Sequence, residues 1–356
     1  MQESQNGRGT RQPTPFQSWQ QSEGIPTYRG SYVADLYTLD LRPWSRFGQN
    51  GAFVNLADQE EDNGYVVEIA PGGKTEVQRH LFESVIYVVD GRGATSFWQE
   101  DGRKQTVEWQ RGSVFAPPLN CHYQHFNLDG KQTVRLFAVT NAPVVMNLFS
   151  DANFVFDCPY RFNARYDAAD TYFTDAGRSI GKRDWQTNFI PDVRGFKLID
   201  WLERGAGQTM NFRLGNNTQM AAHISEFPVG HYKKAHRHGV GAHVIILTGQ
   251  GYSLLWFERD QKWDRVEWKD GTVLSPKEWE YHQHFNTGPT PARYLALRFG
   301  VPGVVTGGAA RAWQTEDELN GISYEREDPE IYDLFSRECA RSGAEVRLAR
   351  PEYVRS

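Results

Sequence analysis

The stretch His236-Arg237-His238-Gly239-Val240-Gly241-Ala242-His243-Val244-Ile245-Ile246-Leu247-Thr248-Gly249-Gln250-Gly251 decides how the rest of the chain is read. Side chains of an extended segment alternate between faces, so histidines at i and i+2 share one face. Downstream, Tyr281-His282-Gln283-His284-Phe285-Asn286 supplies a second alternating pair. A third imidazole from that second strand completes three corners of a metal site and leaves positions open for substrate or gas. Imidazole suits Fe, Zn, Cu and Ni, and open positions are what catalysis needs. A single histidine on a β-protein reads as a surface or core residue. H-x-H followed at this distance by H-x-H-F-N reads as a metal centre.

Working outward, the pattern around this stretch is strand and turn. In the first half, Tyr65–Ala70 leads to Pro71-Gly-Gly, and Val85–Val89 leads to Asp90-Gly-Arg-Gly93. Thr106–Trp109, Gly112–Pro117 and Val134–Thr140 follow. Short strands at this spacing suit a sandwich or barrel. The same order returns about 158 positions later. Val266-Glu-Trp268 repeats Val107-Glu-Trp109, Gly271–Pro276 repeats Gly112–Pro117, and Gln283-His-Phe-Asn286 repeats Gln124-His-Phe-Asn127. A repeat of this length is a duplicated β-domain whose sheets close or nearly close, removing exposed edges.

The flanks are less regular. Residues 1–25 are polar and rich in Gln, Gly and Pro, and read as a flexible N-terminal arm. The reading then assigns 26–145 to an N-terminal barrel, 146–215 to an inter-domain connector, 216–305 to a C-terminal barrel and 306–356 to a helical extension. Within that extension Thr315–Glu318 resembles an N-cap with an acidic first turn. The run from Asp328 to Arg341 reads as an amphipathic helix, either a dimer element or a cap on its own barrel.

The whole chain sets outer bounds. With 356 residues there is room for two domains, and 33 Gly with 17 Pro suit turn-rich all-β structure. The net charge of −5 is interspersed, so no basic patch marks a nucleic-acid or anionic-membrane partner. The polar start, the lack of a long apolar run and three cysteines without C-x-x-C spacing point to a cytoplasmic protein without a disulfide framework. Cys121 reads as a buried structural thiol.

These motifs resemble the cupin superfamily, and the duplication makes the chain similar to a bicupin. Gly230, His236, His238 and Gly249 match the first cupin motif; Gly271, Pro276, His282 and Asn286 match the second. The resemblance covers roughly residues 64–142 and 222–302. It implies an all-β fold of two jelly-roll barrels (double-stranded β-helices) with short peripheral helices, and a homo-oligomer. The usual glutamate position holds Ala242. That departure, with Trp279-Glu-Tyr-His282-Gln-His284-Phe-Asn286, resembles gentisate 1,2-dioxygenase and its relatives acting on hydroxynaphthoate and salicylates. The resemblance implies Fe(II), with Mn(II) as the alternative, held by His236, His238 and His282. In gentisate dioxygenases the working site lies in the N-terminal cupin, whereas here the fuller motif is C-terminal.

The first repeat is degenerate, with Gln78, His80, Ser84 and Tyr123 at the aligned positions. A shifted set of His80, Glu83 and His122 is conceivable, but a one-residue slip turns a ligand to the other face. All ten histidines fall inside the two repeat cores. His284 shares the inward face with His282 and either orients substrate, moves a proton or is a satisfied core residue. His243 faces out of the barrel and packs; His223 and His231 are structural or rim residues. Tyr281, Trp279 and Trp256 line an aromatic pocket or pack the barrel. Arg298 and Arg293 have opposite parity, and the one that faces in would hold a substrate carboxylate.

Three functions follow. The first is an Fe(II)-dependent dioxygenase that takes dioxygen and a small carboxylated hydroxyaromatic acid, with His284, Tyr281 and Arg298 as catalytic residues. The second is a non-oxidative or Mn-dependent decarboxylase, lyase or isomerase. The third is a non-catalytic ligand-binding bicupin.

Overall fold

The computed structural model describes residues 12–100, 102–174, 176–260, 262–300 and 320–354. They form two β-barrels with a few short helices, as the duplicated strand-and-turn pattern requires. In the first barrel a large sheet runs Thr27–Gly30, Gln49–Leu56, Asn63–Ile69, Val134–Thr140, Ser84–Asp90, Val114–Phe115, Phe189–Ile190. It faces a smaller sheet of His122–Asn127, Arg92–Trp98 and Gln105–Gln110. In the second, Met220–Phe227, Ala292–Phe299 and Ala242–Thr248 lie at the centre of the large sheet. The facing sheet runs Asp264–Lys269, Gln250–Trp256, Tyr281–Asn286, Ala235–His236, Gly321–Ile322.

The large sheets pack back to back. Val54, Val66, Val85, Phe137 and Val139 of the first share one core with Ala222, Ile224, Ile245, Leu247, Leu295 and Leu297 of the second. Alternation sends the intervening residues Ala242, Val244, Ile246, Tyr294 and Ala296 into the second barrel's own interior. The parity left open by the sequence is thereby decided. Arg298 shares the inward face with Tyr294 and Ala296, whereas Arg293 points out, pairing with Glu226 at 2.8 Å and donating to the Val193 carbonyl at 2.9 Å. His243 also points out, with Nε2 3.2 Å from the Val54 carbonyl oxygen of the other barrel.

The barrels are interleaved in sequence, which redraws the expected boundaries. Tyr32–Val33 pairs with Val273–Leu274 of the second barrel, and Phe189–Ile190 pairs with Val114–Phe115 of the first. Gln208–Arg213, placed in the connector by the sequence reading, is a full partner of Met220–Phe227. Residues 12–25 are not a loose arm. A helix at Pro15–Ser22 starts with a reciprocal capping box between Thr14 and Gln17 and buries Phe16 and Gln20. The C-terminal helix Pro329–Ser342 starts at its Asp328 cap and ends at Gly343 in the left-handed region. Its Ile331, Phe335 and Cys339 pack on Tyr232, Tyr252 and Phe285, so it caps its own barrel. The Thr315–Glu318 cap lies outside the described residues. Cys121, Cys158 and Cys339 are free and buried. No helix among the described residues is long and apolar enough to cross a membrane.

Glu83 ties the two barrels together. Its carboxylate is 4% exposed, accepts backbone N–H groups from Thr218, Gln219 and Met220 at 2.8–2.9 Å, and pairs with Arg165. Removing one partner of a buried, hydrogen-bonded ion pair leaves the other charge uncompensated and costs about 3–5 kcal/mol. Glu83→Ala should therefore lower the urea midpoint of unfolding substantially while leaving the second barrel's histidines in place. A midpoint equal to that of the parent chain would remove Glu83 from this role.

Candidate metal centre

His236 ends the strand Ala235–His236 and lies directly opposite His282 in the antiparallel ladder. His238 follows two residues later, where its carbonyl accepts the Trp279 backbone N–H at 2.8 Å. One ligand atom from each of His236, His238 and His282 falls within 4.8 Å of the other two, and among the described residues no such cluster forms in the first barrel.

The hydrogen bonds of the rings explain why this set suits a metal. Nδ1 of His236 lies 3.2 Å from the Lys234 carbonyl oxygen, Nδ1 of His238 2.9 Å from that of Gly239, and Nδ1 of His282 3.1 Å from that of Glu280. A carbonyl only accepts, so each Nδ1 carries the proton and each Nε2 carries the lone pair. Burial, with neighbouring cations and imidazoles, holds the ring pKa values down: well below the usual value for His236 and His282, and to about 4 for His238. Three neutral imidazoles with lone pairs converging fit a divalent transition metal.

His284 has the opposite tautomer. Its Nδ1 is 2.7 Å from Ser253 Oγ, which also receives the Trp268 indole N–H at 3.0 Å. An indole only donates, and Ser253 is fully buried, so the hydroxyl hydrogen goes to His284 Nδ1 and the ring proton sits on Nε2. The Nε2–H edge is left for the cavity, as a donor and not a ligand. The first barrel contains the same relay: Trp109 Nε1 to Thr95 Oγ1 at 2.8 Å, and Thr95 Oγ1 to His125 Nδ1 at 2.7 Å. The Val-Glu-Trp repeat in the sequence is thus explained. Gly251 completes the unit, because a Cβ there would stand 1.9 Å from the Phe285 carbonyl oxygen and 2.8 Å from the Trp268 ring.

The cavity at the three histidines measures about 30 Å³, room for about two water molecules. Arg204, Lys233, His223 and Tyr294 line it beside the histidines, with Ala242, Val244 and Pro276 as an apolar wall. No carboxylate lines it among the described residues. Desolvation, followed by the Arg204 charge, lowers the Arg298 pKa to about 9. Sequence reasoning missed Lys233, three positions before His236, and took His223 for structure or rim, although strand alternation from Ser225 points it inward. Arg204 and Trp201 come from the connector, which carries no periodic signal.

Tyr281 does not reach the cavity. Adjacent to His282 on a strand, it faces the other way, stacking on Trp256 at 5.5 Å beneath the Arg237 guanidinium at 4.5 Å. Trp279 is 43% exposed and lies outside as well. In the first barrel the shifted set does not converge. His80 Nε2 is occupied by the Tyr123 hydroxyl at 2.9 Å, Glu83 turns to the other barrel, and His122 stacks on Trp98.

No family model matches the chain. Among solved structures it is similar to the Lactobacillus farciminis oxalate decarboxylase formate complex, at 13% identity and TM-score 0.53, covering 85% of this chain and 92% of that one. It is also similar to a tryptophan variant of Bacillus subtilis oxalate decarboxylase, at 13% identity and TM-score 0.51, covering 76% and 77%. At this identity the likeness defines the fold, and the fold is that of a bicupin.

If Nε2 orientation makes the ligand set, metal analysis should find about one divalent ion per chain, lost in His282→Ala and retained in His80→Ala. Loss of the ion with His80→Ala would place the centre in the first barrel instead.

Proposed function

We propose that the second barrel is the active site of a metal-dependent enzyme that converts a small carboxylate without consuming dioxygen, as a decarboxylase, lyase or isomerase. The observation that carries this reading is the lining: a cavity of about 30 Å³ rimmed by imidazoles, Arg204 and Lys233, with no carboxylate among the described lining residues. Such a lining attracts an anion, and although even a two-carbon dicarboxylate must widen a cavity of this volume, it needs less opening than an aromatic ring. The oxalate decarboxylases that share the fold act, by name, on a two-carbon dicarboxylate, which supports the same size class.

His236, His238 and His282 would hold the metal, Fe(II) or Mn(II), which when bound supplies Lewis acidity toward a carboxylate or carbonyl oxygen. Arg204 sets a positive potential along one side and fixes the orientation of the anion; Arg298, inward by parity but not among the lining residues, adds to that potential through its charge. His284 holds its proton at Nε2 and donates a hydrogen bond toward negative charge that grows on the substrate. Ala242, Val244 and Pro276 exclude water from one wall, which strengthens each of these interactions.

A second reading, an Fe(II) dioxygenase of a carboxylated hydroxyaromatic acid, is favoured by Ala242 at the position where a carboxylate ligand is usual in cupins. It requires the lining to open around a ring.

The two separate in one experiment. Protein loaded with Fe(II) or Mn(II) is offered two- to four-carbon carboxylates under argon, and hydroxybenzoates in an oxygen electrode. Product from a small carboxylate without oxygen supports the first reading; oxygen uptake in step with loss of a hydroxybenzoate assigns the second. His236→Ala should abolish either activity, and turnover surviving that change would sink both.

A further inference from the structure

Lys233 is a cation that the metal site does not require. It is 5% exposed, and its Nζ donates to Ser225 Oγ and stands 5.5 Å and 5.3 Å from the ring centroids of Phe227 and Tyr294. Among the described residues no carboxylate lies within ion-pair distance of it. Its backbone N–H donates to the His284 carbonyl oxygen at 3.0 Å, so its position is fixed to the strand that carries His282 and His284. A buried ammonium whose polar neighbours are the Ser225 and Tyr294 hydroxyls, with no carboxylate beside it among the described residues, lacks a counter-charge. Tyr294 also lies 5.5 Å, between ring centroids, from His284, whose Nε2–H edge meets the same cavity. Two donors therefore meet beside Tyr294, at a place where no ligand imidazole contributes.

We infer that Lys233, assisted by the Nε2–H of His284, is a second anion-binding pole of the cavity, so that the substrate carries two anionic groups, one for the histidine triad and one for Lys233. This rests on the reading of the cavity as a substrate site with a metal held by the triad. Lys233 then sets specificity for a dianion over a monoanion of the same skeleton, because a monoanion leaves the buried ammonium uncompensated.

Oxalate and acetate share a two-carbon skeleton and differ in the second carboxylate. Isothermal titration of each into Mn(II)-loaded parent protein and Lys233→Met, whose unbranched side chain preserves packing, measures that difference. Lys233→Gln serves as a second variant should the first not fold, and metal content confirms an intact site. The expected result is a loss of about tenfold or more in oxalate affinity with a change of less than about threefold for acetate. Equal losses for both anions, or none, would overturn the assignment. Metal content separates the two failures: a parent that takes up no Mn(II) sinks the metal reading and this inference with it, whereas a loaded parent whose preference for oxalate over acetate survives Lys233→Met overturns this assignment alone.

Discussion

The two-residue alternation of strands in the large sheet of each barrel is the constraint on which the molecule depends. Each central strand must satisfy two interiors at once, the lumen of its own barrel and the core shared with the other barrel. Along Ala292–Phe299 the division is clear: Leu295 and Leu297 enter the shared core, while Tyr294, Ala296 and Arg298 enter the lumen. A slip of one residue would place an arginine in the apolar seam and leucines at the histidine cavity, so register is specified from both sides. Glu83 shows the rule in the first barrel. It sits one position before Ser84, the aligned glutamate site, and its carboxylate accordingly reaches Thr218–Met220 of the other barrel and not the lumen.

Within the lumen, hydrogen-bond partners and not proximity sort the histidines. His236, His238, His282 and His284 all line one cavity, and the His282 and His284 centroids are 5.7 Å apart. Three of them donate a hydrogen bond from Nδ1–H to a main-chain oxygen and turn Nε2 inward; the fourth accepts a hydrogen bond from the Ser253 hydroxyl at Nδ1 and turns an N–H inward. Because the wall fixes each tautomer, the cavity has a donor-accepting side suited to a cation and a hydrogen-donating side suited to an anion.

The fold was legible because its signals are local and duplicated: H-x-H, the Gly-x-Gly turns and Gln-His-Phe-Asn each recur within a strand or a turn. The triad was legible for a related reason: the i, i+2 spacing of His236 and His238 and the paired histidine motif downstream announced it, although in the structure the strand ends at His236 and His282 arrives by direct cross-strand pairing. Parity also argued against Tyr281, whose neighbour His282 has the inward side; an aromatic beside a ligand histidine suggested a pocket that alternation denies it. Less legible were the contributions made across long separations. Tyr32–Val33 and Phe189–Ile190 each complete the sheet of the barrel that the sequence order would not assign them to, and Arg204 enters the cavity from a segment without periodic pattern. Such pairings depend on chain geometry that a two-residue strand of ordinary composition does not encode.

The first barrel serves as an internal comparison for what each histidine does. Both barrels keep the indole–hydroxyl–imidazole relay, through Trp109, Thr95 and His125 in one and Trp268, Ser253 and His284 in the other. The relay therefore does not by itself require a metal nearby; it holds the smaller sheet's strands in register by filling the lumen with satisfied polar groups. The triad is what the first barrel lacks. Tyr123 stands where His282 does and spends its hydroxyl on His80 Nε2, while Gln78 stands where His236 does and donates to the Arg46 carbonyl at 2.7 Å. The His80 lone pair that could have met a cation there is already used. What the second barrel adds to a shared scaffold is thus the converging triad of His236, His238 and His282 and the buried Lys233, and it is in that difference that the two lumens part.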